Sequence, residues 1–163
     1  MSKAKPARST NQQKFHNPGI DEWAPLQRLI GYQFDDVGLL QQALTHKSAH
    51  KNHNERLEFL GDAILGYLVA EHLYHTFADA PEGQLTRMRS AIVKGDTLAE
   101  IAVEHGLGDY IRLGIGELKS GGKRRASILA DVVESIIGAI YLDAGIEACD
   151  EFIHRWFGAR MAK

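Results

Sequence analysis

One segment decides most of what this chain can fold into. Ile128-Leu129-Ala130-Asp131-Val132-Val133-Glu134-Ser135-Ile136-Ile137-Gly138-Ala139-Ile140-Tyr141 is apolar on almost every helical face, with only Asp131 and Glu134 breaking the pattern. A helix that is hydrophobic all round has to be enclosed by other elements. Asp131 and Glu134 stand at i and i+3 and therefore share one face. Acids are almost never buried without a partner. Either Arg or Lys from another helix pairs with them, or they meet other carboxylates around a cation.

A second segment supplies candidate carboxylates. Asn54-Glu55-Arg56-Leu57-Glu58-Phe59-Leu60-Gly61-Asp62-Ala63-Ile64-Leu65 opens an apolar-periodic run that continues to about Phe77, with Leu57, Leu60, Ile64, Leu65, Leu68 and Leu73 at helical spacing and no proline. Asn54 stands where an N-cap belongs, and acids follow in the first turn, where the helix dipole favours them. Glu55, Glu58 and Asp62 fall on one face, at i, i+3 and i+7. Taken alone, such a row is as readily a set of dipole partners on a solvated face. Set against Asp131 and Glu134 it gains another reading, in which Glu58 and Asp62 meet that pair across a helix contact. Four carboxylates without a cation would repel; around Mg2+ or Mn2+ they make a hard-oxygen site. Gly61, Gly66, Gly138 and Ala139 are small enough to let two helices approach closely.

The rest of the chain reads as helical too. Helices are expected from Asp21 (as cap) to about Ile30, Asp35 to about His46, Glu82 to about Val93, Thr97 to about His105, and Glu147 to about Arg160, with a turn at Glu117–Lys119. In the second of these Val37, Leu39, Leu40, Ala43 and Leu44 are the expected buried positions. Gly95-Asp96 marks a break, Ser127 is the expected cap of the apolar helix, and Ser120–Arg125 reads as a flexible basic loop. No convincing β alternation and no internal repeat occurs. The 163 residues suit one domain with a real core. Residues 1–16 carry Lys3, Lys5, Arg8 and Lys14 without an acid and read as a disordered basic tail, leaving a formal −6 over residues 17–163. An acidic folded part argues against tight binding of nucleic acid by overall charge and suits one that collects divalent cations. No apolar run is long enough to span a membrane. The single cysteine, Cys149, excludes an internal disulfide and fits a cytoplasmic, reducing setting. His46, His50 and His53 have metal-like spacing but lack accompanying cysteines or an HExxH pattern, so a zinc site is not expected there.

At Asn54–Leu65 the chain resembles the signature of the ribonuclease III family. The blocks Ala43-Leu44-Thr45-His46-Lys47-Ser48 and Ile128–Ala139 resemble that family's pattern in the right order, and the match covers about residues 20–160. The resemblance implies an all-α, homodimeric endonuclease domain over residues 17–163. It implies Mg2+-dependent hydrolysis of double-stranded RNA, for which Mn2+ may substitute, leaving 5′-phosphates and short 3′ overhangs in RNA processing such as ribosomal RNA maturation. Glu58, Asp62, Asp131 and Glu134 take the metal-binding positions, with Asp62 and Glu134 catalytic. Glu55 and Glu82 take accessory acidic positions near the substrate, and Phe59 the bulky position that packs across the dimer. Neither a membrane nor a small-molecule cofactor is expected. Bacterial members usually carry a double-stranded-RNA-binding domain after the nuclease domain, and this chain has none before its last residue, Lys163.

Three other readings make different demands. A catalytically dead relative would be expected to lose one of the four acids, and all four are present. A di-iron bundle needs Glu-x-x-His on two helices, and only Glu151-Phe152-Ile153-His154 fits. A purely structural helical protein has no use for Asp131 and Glu134.

Overall fold

The structure, a computed structural model, describes residues 23–162. The basic tail over residues 1–16 and the Asp21 cap lie outside the described residues. Among the described residues eight α-helices follow in order: α1 Ala24–Ile30, α2 Val37–Ala43, α3 Glu55–Thr76, α4 Glu82–Val93, α5 Gly95–Glu104, α6 Ile115–Lys119, α7 Ala126–Ala144 and α8 Ile146–Met161. Two 3-10 turns, Leu107–Tyr110 and Gly122–Arg124, flank α6. Among the described residues the only β-type pairing is an isolated parallel bridge between Thr45 and Arg112.

The apolar helix is the axis of the bundle. Every residue of α7 from Ile128 to Ile140 is buried except Asp131, which is half-buried. Helices α3, α5, α2 and α8 surround it, and α3 makes the most extensive contact. The burial of Leu57, Ile64, Leu65, Leu68, Val69 and Leu73 on α3 follows the helical period read from the sequence.

The α3–α7 contact is unusually close because glycine stands on both sides of it. A Cβ at Gly61 would lie 1.7 Å from the Glu134 carbonyl oxygen, and one at Gly138 would lie 2.4 Å from that of Leu57. Gly66 plays no part in this approach: nothing lies within 4 Å of its Cβ position.

Several local expectations give way to longer-range bonds. Asn54 occupies the N-cap position of α3 but makes no side-chain cap; it is buried, and its amide donates to the Ala43 carbonyl at 3.0 Å. The residue therefore ties α2 to the start of α3 rather than closing its own helix. Helix α7 begins at Ala126 after Arg125, so Ser127 lies in the first turn and is not the cap. The break between α4 and α5 falls at Lys94, whose extended backbone (φ −64°, ψ 153°) lets Gly95 and Asp96 open α5. Helix α2 is shorter than expected, with Asp36 accepting from the Gly38 amide at its start; Val37 and Leu39 are only half-buried. The basic segment before α7 is held: Gly122 is buried, and Arg125 pairs with Glu117 at 2.6 Å. Asp143, near the end of α7, accepts hydrogen bonds from the Tyr32 hydroxyl and from the Asp35 and Asp36 amides, fixing the α1–α2 turn.

Candidate metal centre

The two acid-bearing helices deliver their carboxylates to one place. Glu58 projects from the first turns of α3, and Asp131 and Glu134 project from α7 opposite it. Carboxylate oxygens of these three lie within 4.8 Å of one another. Glu134 is 8% exposed, low for any acid. Asp62 lies one turn further along α3, is exposed, and joins the cluster by a hydrogen bond to Glu134. Among the described residues none of the four is paired with Lys or Arg, which removes the salt-bridge alternative for Asp131 and Glu134.

Crowding shows in the proton affinities. Burial, reinforced by a hydrogen bond to Asp62 and by its charge, pushes Glu134 up to about 9. Burial, with the Asp131 charge and a hydrogen bond to it next, pushes Glu58 up to about 7. Burial also raises Asp131, although the hydrogen bond from Glu58 and the nearby His46 pull the other way. Protonated Glu58 thus donates to Asp131 and protonated Glu134 donates to Asp62, so two protons do part of the work of a cation. Oxygen-only donors, tight spacing and charge relieved only by protons fit a hard divalent ion.

A cleft of about 230 Å³ opens beside the cluster, lined by His46, Lys47, Asn54, Glu55, Glu58, Arg125, Ser127, Ile128 and Asp131. The Thr45–Arg112 bridge fixes its rim: the His46 amide donates to the Arg112 carbonyl at 3.0 Å, and the Arg112 amide to the Leu44 carbonyl at 2.8 Å. Lys47 is 3.5 Å from Glu55. The sequence reading had not singled out His46, Lys47 and Arg125 as cleft residues. Glu55 lines the cleft. Glu82 does not: it opens α4 beyond the far end of α3, a helix of 22 residues, about 33 Å long. Phe59 is 81% exposed, next to the metal-facing carboxylate of Glu58.

The raised groups carry a pH signature. A carboxyl whose folded value exceeds its unfolded value, about 4.3 for Glu, binds its proton more tightly when folded. The associated stability is complete below that unfolded value and is lost as pH rises through about 7 for Glu58 and about 9 for Glu134. In a chelator, the melting temperature should therefore fall steadily between pH 5 and pH 9, on the order of 5 °C or more. Excess Mg2+ should flatten the fall. A melting temperature that climbs across this range in chelator would contradict the assigned crowding.

Residues 36–161 match the model of a family described as ribonuclease-III-like. Ribonuclease 3 of Marinomonas sp. is 61% identical over 136 residues, 83% of this chain and 60% of the relative. Ribonuclease 3 of Vibrio campbellii is 58% identical over 145 residues, 89% of this chain and 63% of the relative. The chain thus spans about three-fifths of the length of the curated relatives it matches. The nuclease domain of ribonuclease III from Campylobacter jejuni superposes with a TM-score of 0.83 at 44% identity, covering 85% of this chain and 98% of that domain; that structure is described as showing flexibility in a region involved in dimer formation. With the family model matching over most of its length and a whole nuclease domain matching in three dimensions, the chain belongs to the ribonuclease III family.

Proposed function

We propose that residues 17–163 form the nuclease domain of a divalent-metal-dependent endoribonuclease that hydrolyses double-stranded RNA to 5′-phosphate ends with short 3′ overhangs. The role proposed is cytoplasmic RNA maturation, ribosomal RNA included. The observation that carries this reading is the meeting of Glu58, Asp131 and Glu134, with Asp62 attached, where no Lys or Arg among the described residues neutralises them. Glu58, Asp62, Asp131 and Glu134 would hold Mg2+, with Mn2+ able to replace it. When bound, the ion neutralises charge on the scissile phosphate and supplies an activated water. Glu58 and Glu134 release their protons as the cation enters, so the four carboxyls carry about half their full negative charge without the metal and all of it once the metal is there to balance it. Lys47 and Arg125 on the cleft rim suit the flanking phosphates, and Glu55 faces the same cleft. The accessory role of Glu82 concerns RNA lying beyond one subunit's cleft, since α3 holds this residue away from the cluster. Cleavage of long double-stranded RNA with Mg2+, and none with chelator, is the test; an uncut substrate in Mg2+ would end the proposal.

The same proposal includes a twofold dimer. A phenylalanine 81% exposed on the acid-bearing helix is costly in a monomer. Tyr67 and Tyr74 continue that exposed side of α3, at 57% and 68%. Sedimentation at micromolar concentration should give twice the 18.1 kDa chain mass. Phe59→Ala should weaken the dimer by about thirtyfold or more, the effect of losing an aromatic anchor worth about 2 kcal/mol. A monomeric wild type would refute this. Because the folded part is acidic and its visible basic cluster, Lys119 with Lys123, Arg124 and Arg125, is small, binding of double-stranded RNA by this chain should be weak and fall steeply with salt; tight binding above physiological salt would contradict it.

A further inference from the structure

A second cluster of possible ligands lies on the α3–α8 contact, away from the first turns of α3 that carry Glu58. His72 Nδ1 and His154 Nε2 face each other at 3.2 Å, with ring centroids 5.0 Å apart and planes at 75°. Their outer nitrogens are also engaged. His154 Nδ1 donates to the Asp150 carbonyl at 2.8 Å and has Asp150 Oδ1 at 3.3 Å. His72 Nε2 lies 3.3 Å from the Thr76 hydroxyl. We propose that His72 and His154 form a binding site for a borderline transition-metal ion such as Zn2+, Co2+ or Ni2+, clamping α3 to α8, with water completing the shell.

Tautomers and distance both suit a cation held between the two rings. A backbone carbonyl only accepts, so His154 Nδ1 must carry the proton, and its neutral ring then presents a lone pair at Nε2. A carboxylate behind a ligating imidazole is the usual second partner that fixes this tautomer. The hydroxyl of Thr76 both donates and accepts. When it donates to His72 Nε2, His72 carries its proton on Nδ1 and bonds to His154. When the hydroxyl turns to accept, that proton moves to Nε2, and both facing nitrogens offer lone pairs. Loading a cation between neutral rings thus shifts one tautomer and releases no net proton. Two nitrogens at 2.0–2.1 Å from a tetrahedral ion stand about 3.3 Å apart, close to the separation already present. Nitrogen donors select borderline ions over Mg2+, which sets this site apart from the oxygen-only cluster. The adjoining groove between α3 and α8, lined by Glu71, Glu147, Asp150 and Glu151, raises the local concentration of cations.

Zn2+ binding to the whole chain, measured by calorimetry in excess Mg2+, tests this. Wild type should bind one Zn2+ that His72→Gln and His154→Gln each weaken by at least about tenfold. Both variants should melt with wild type in chelator. Independently of any variant, Zn2+ should move the imidazole nitrogen resonances of His72 and His154 before those of the other histidines. Equal Zn2+ affinity in wild type and both variants, or first shifts at His46, His50 and His53, would overturn the proposal.

Discussion

Glu134→Gln should reduce RNA cleavage in Mg2+ by more than about a hundredfold while leaving the fold and the dimer intact. In the cation-free molecule Glu134 is held at about 9 and donates its proton to Asp62, so at neutral pH it is an uncharged donor. A glutamine amide has the same size, the same neutrality and a donor for the same carboxylate. The metal-free melt should accordingly match wild type near pH 4, where Glu134 is neutral in both the folded and the unfolded chain, and the variant should lie at or above wild type at pH 7. At higher pH the variant should melt above wild type, because only wild type is then forced to ionise a buried carboxyl beside Asp62, Glu58 and Asp131. Mg2+ should raise the melting temperature of wild type and do much less for the variant. If Glu134 instead neutralised a buried Arg or Lys, the substitution would strand that cation and cost about 3–5 kcal/mol. A large drop in melting temperature with cleavage intact would overturn the catalytic assignment.

Gly61→Ala should be among the most damaging single changes to stability. Its Cβ would stand 1.7 Å from the Glu134 carbonyl oxygen, 2.6 Å from that carbonyl carbon and 3.0 Å from the Gly138 amide nitrogen. All three are backbone atoms, so no rotamer change relieves the clash and α3 must move off α7. Overpacking of this kind costs about 3 kcal/mol, which lowers the melting temperature by about 6–12 °C in a chain of this size. The shift also moves the segment carrying Glu134, so residual folded protein should cleave poorly. Gly158→Ala, inside α8 with nothing within 4 Å of its Cβ position, provides the opposite sign. There the gain in helix propensity should stabilise by about 0.5–1 kcal/mol. A Gly61→Ala protein that melts with wild type would show that the helices are further apart than described.

Features with a local cause were legible in the sequence. The period of apolar residues in α3 and the uniform apolarity of α7 were enough to place both helices and to oppose their acids. The acids stood out because burial makes an unpaired carboxylate costly, so Asp131 and Glu134 had to have a reason. What escaped depended on partners distant in the chain. Asn54 looked like a cap because caps are local; its bond to Ala43 requires α2 and α3 to be already side by side. Asp143 gives no signal at all in the sequence, since the amides it receives belong to residues more than a hundred positions earlier. The role of His46 and Lys47 at the cleft depends on the single Thr45–Arg112 bridge, too short a pairing to leave an alternating pattern. Gly66 was grouped with Gly61 and Gly138 by size, yet only an azimuth on the helix decides which glycine faces the partner.

The enclosure of α7 on nearly every side has a kinetic meaning. Amide protons in a helix wrapped by four others exchange with solvent only when the whole bundle opens, so those of residues 132–140 should be among the slowest in the molecule. Asp131 and Glu134 are therefore mounted on the segment that loosens last. Glu58 and Asp62 sit near the start of α3, pinned to that segment through the two glycine contacts. Thermal motion in the loops and termini can vary widely without changing the spacing of the carboxylates, and a cation arriving at the site meets oxygens that do not have to be gathered first.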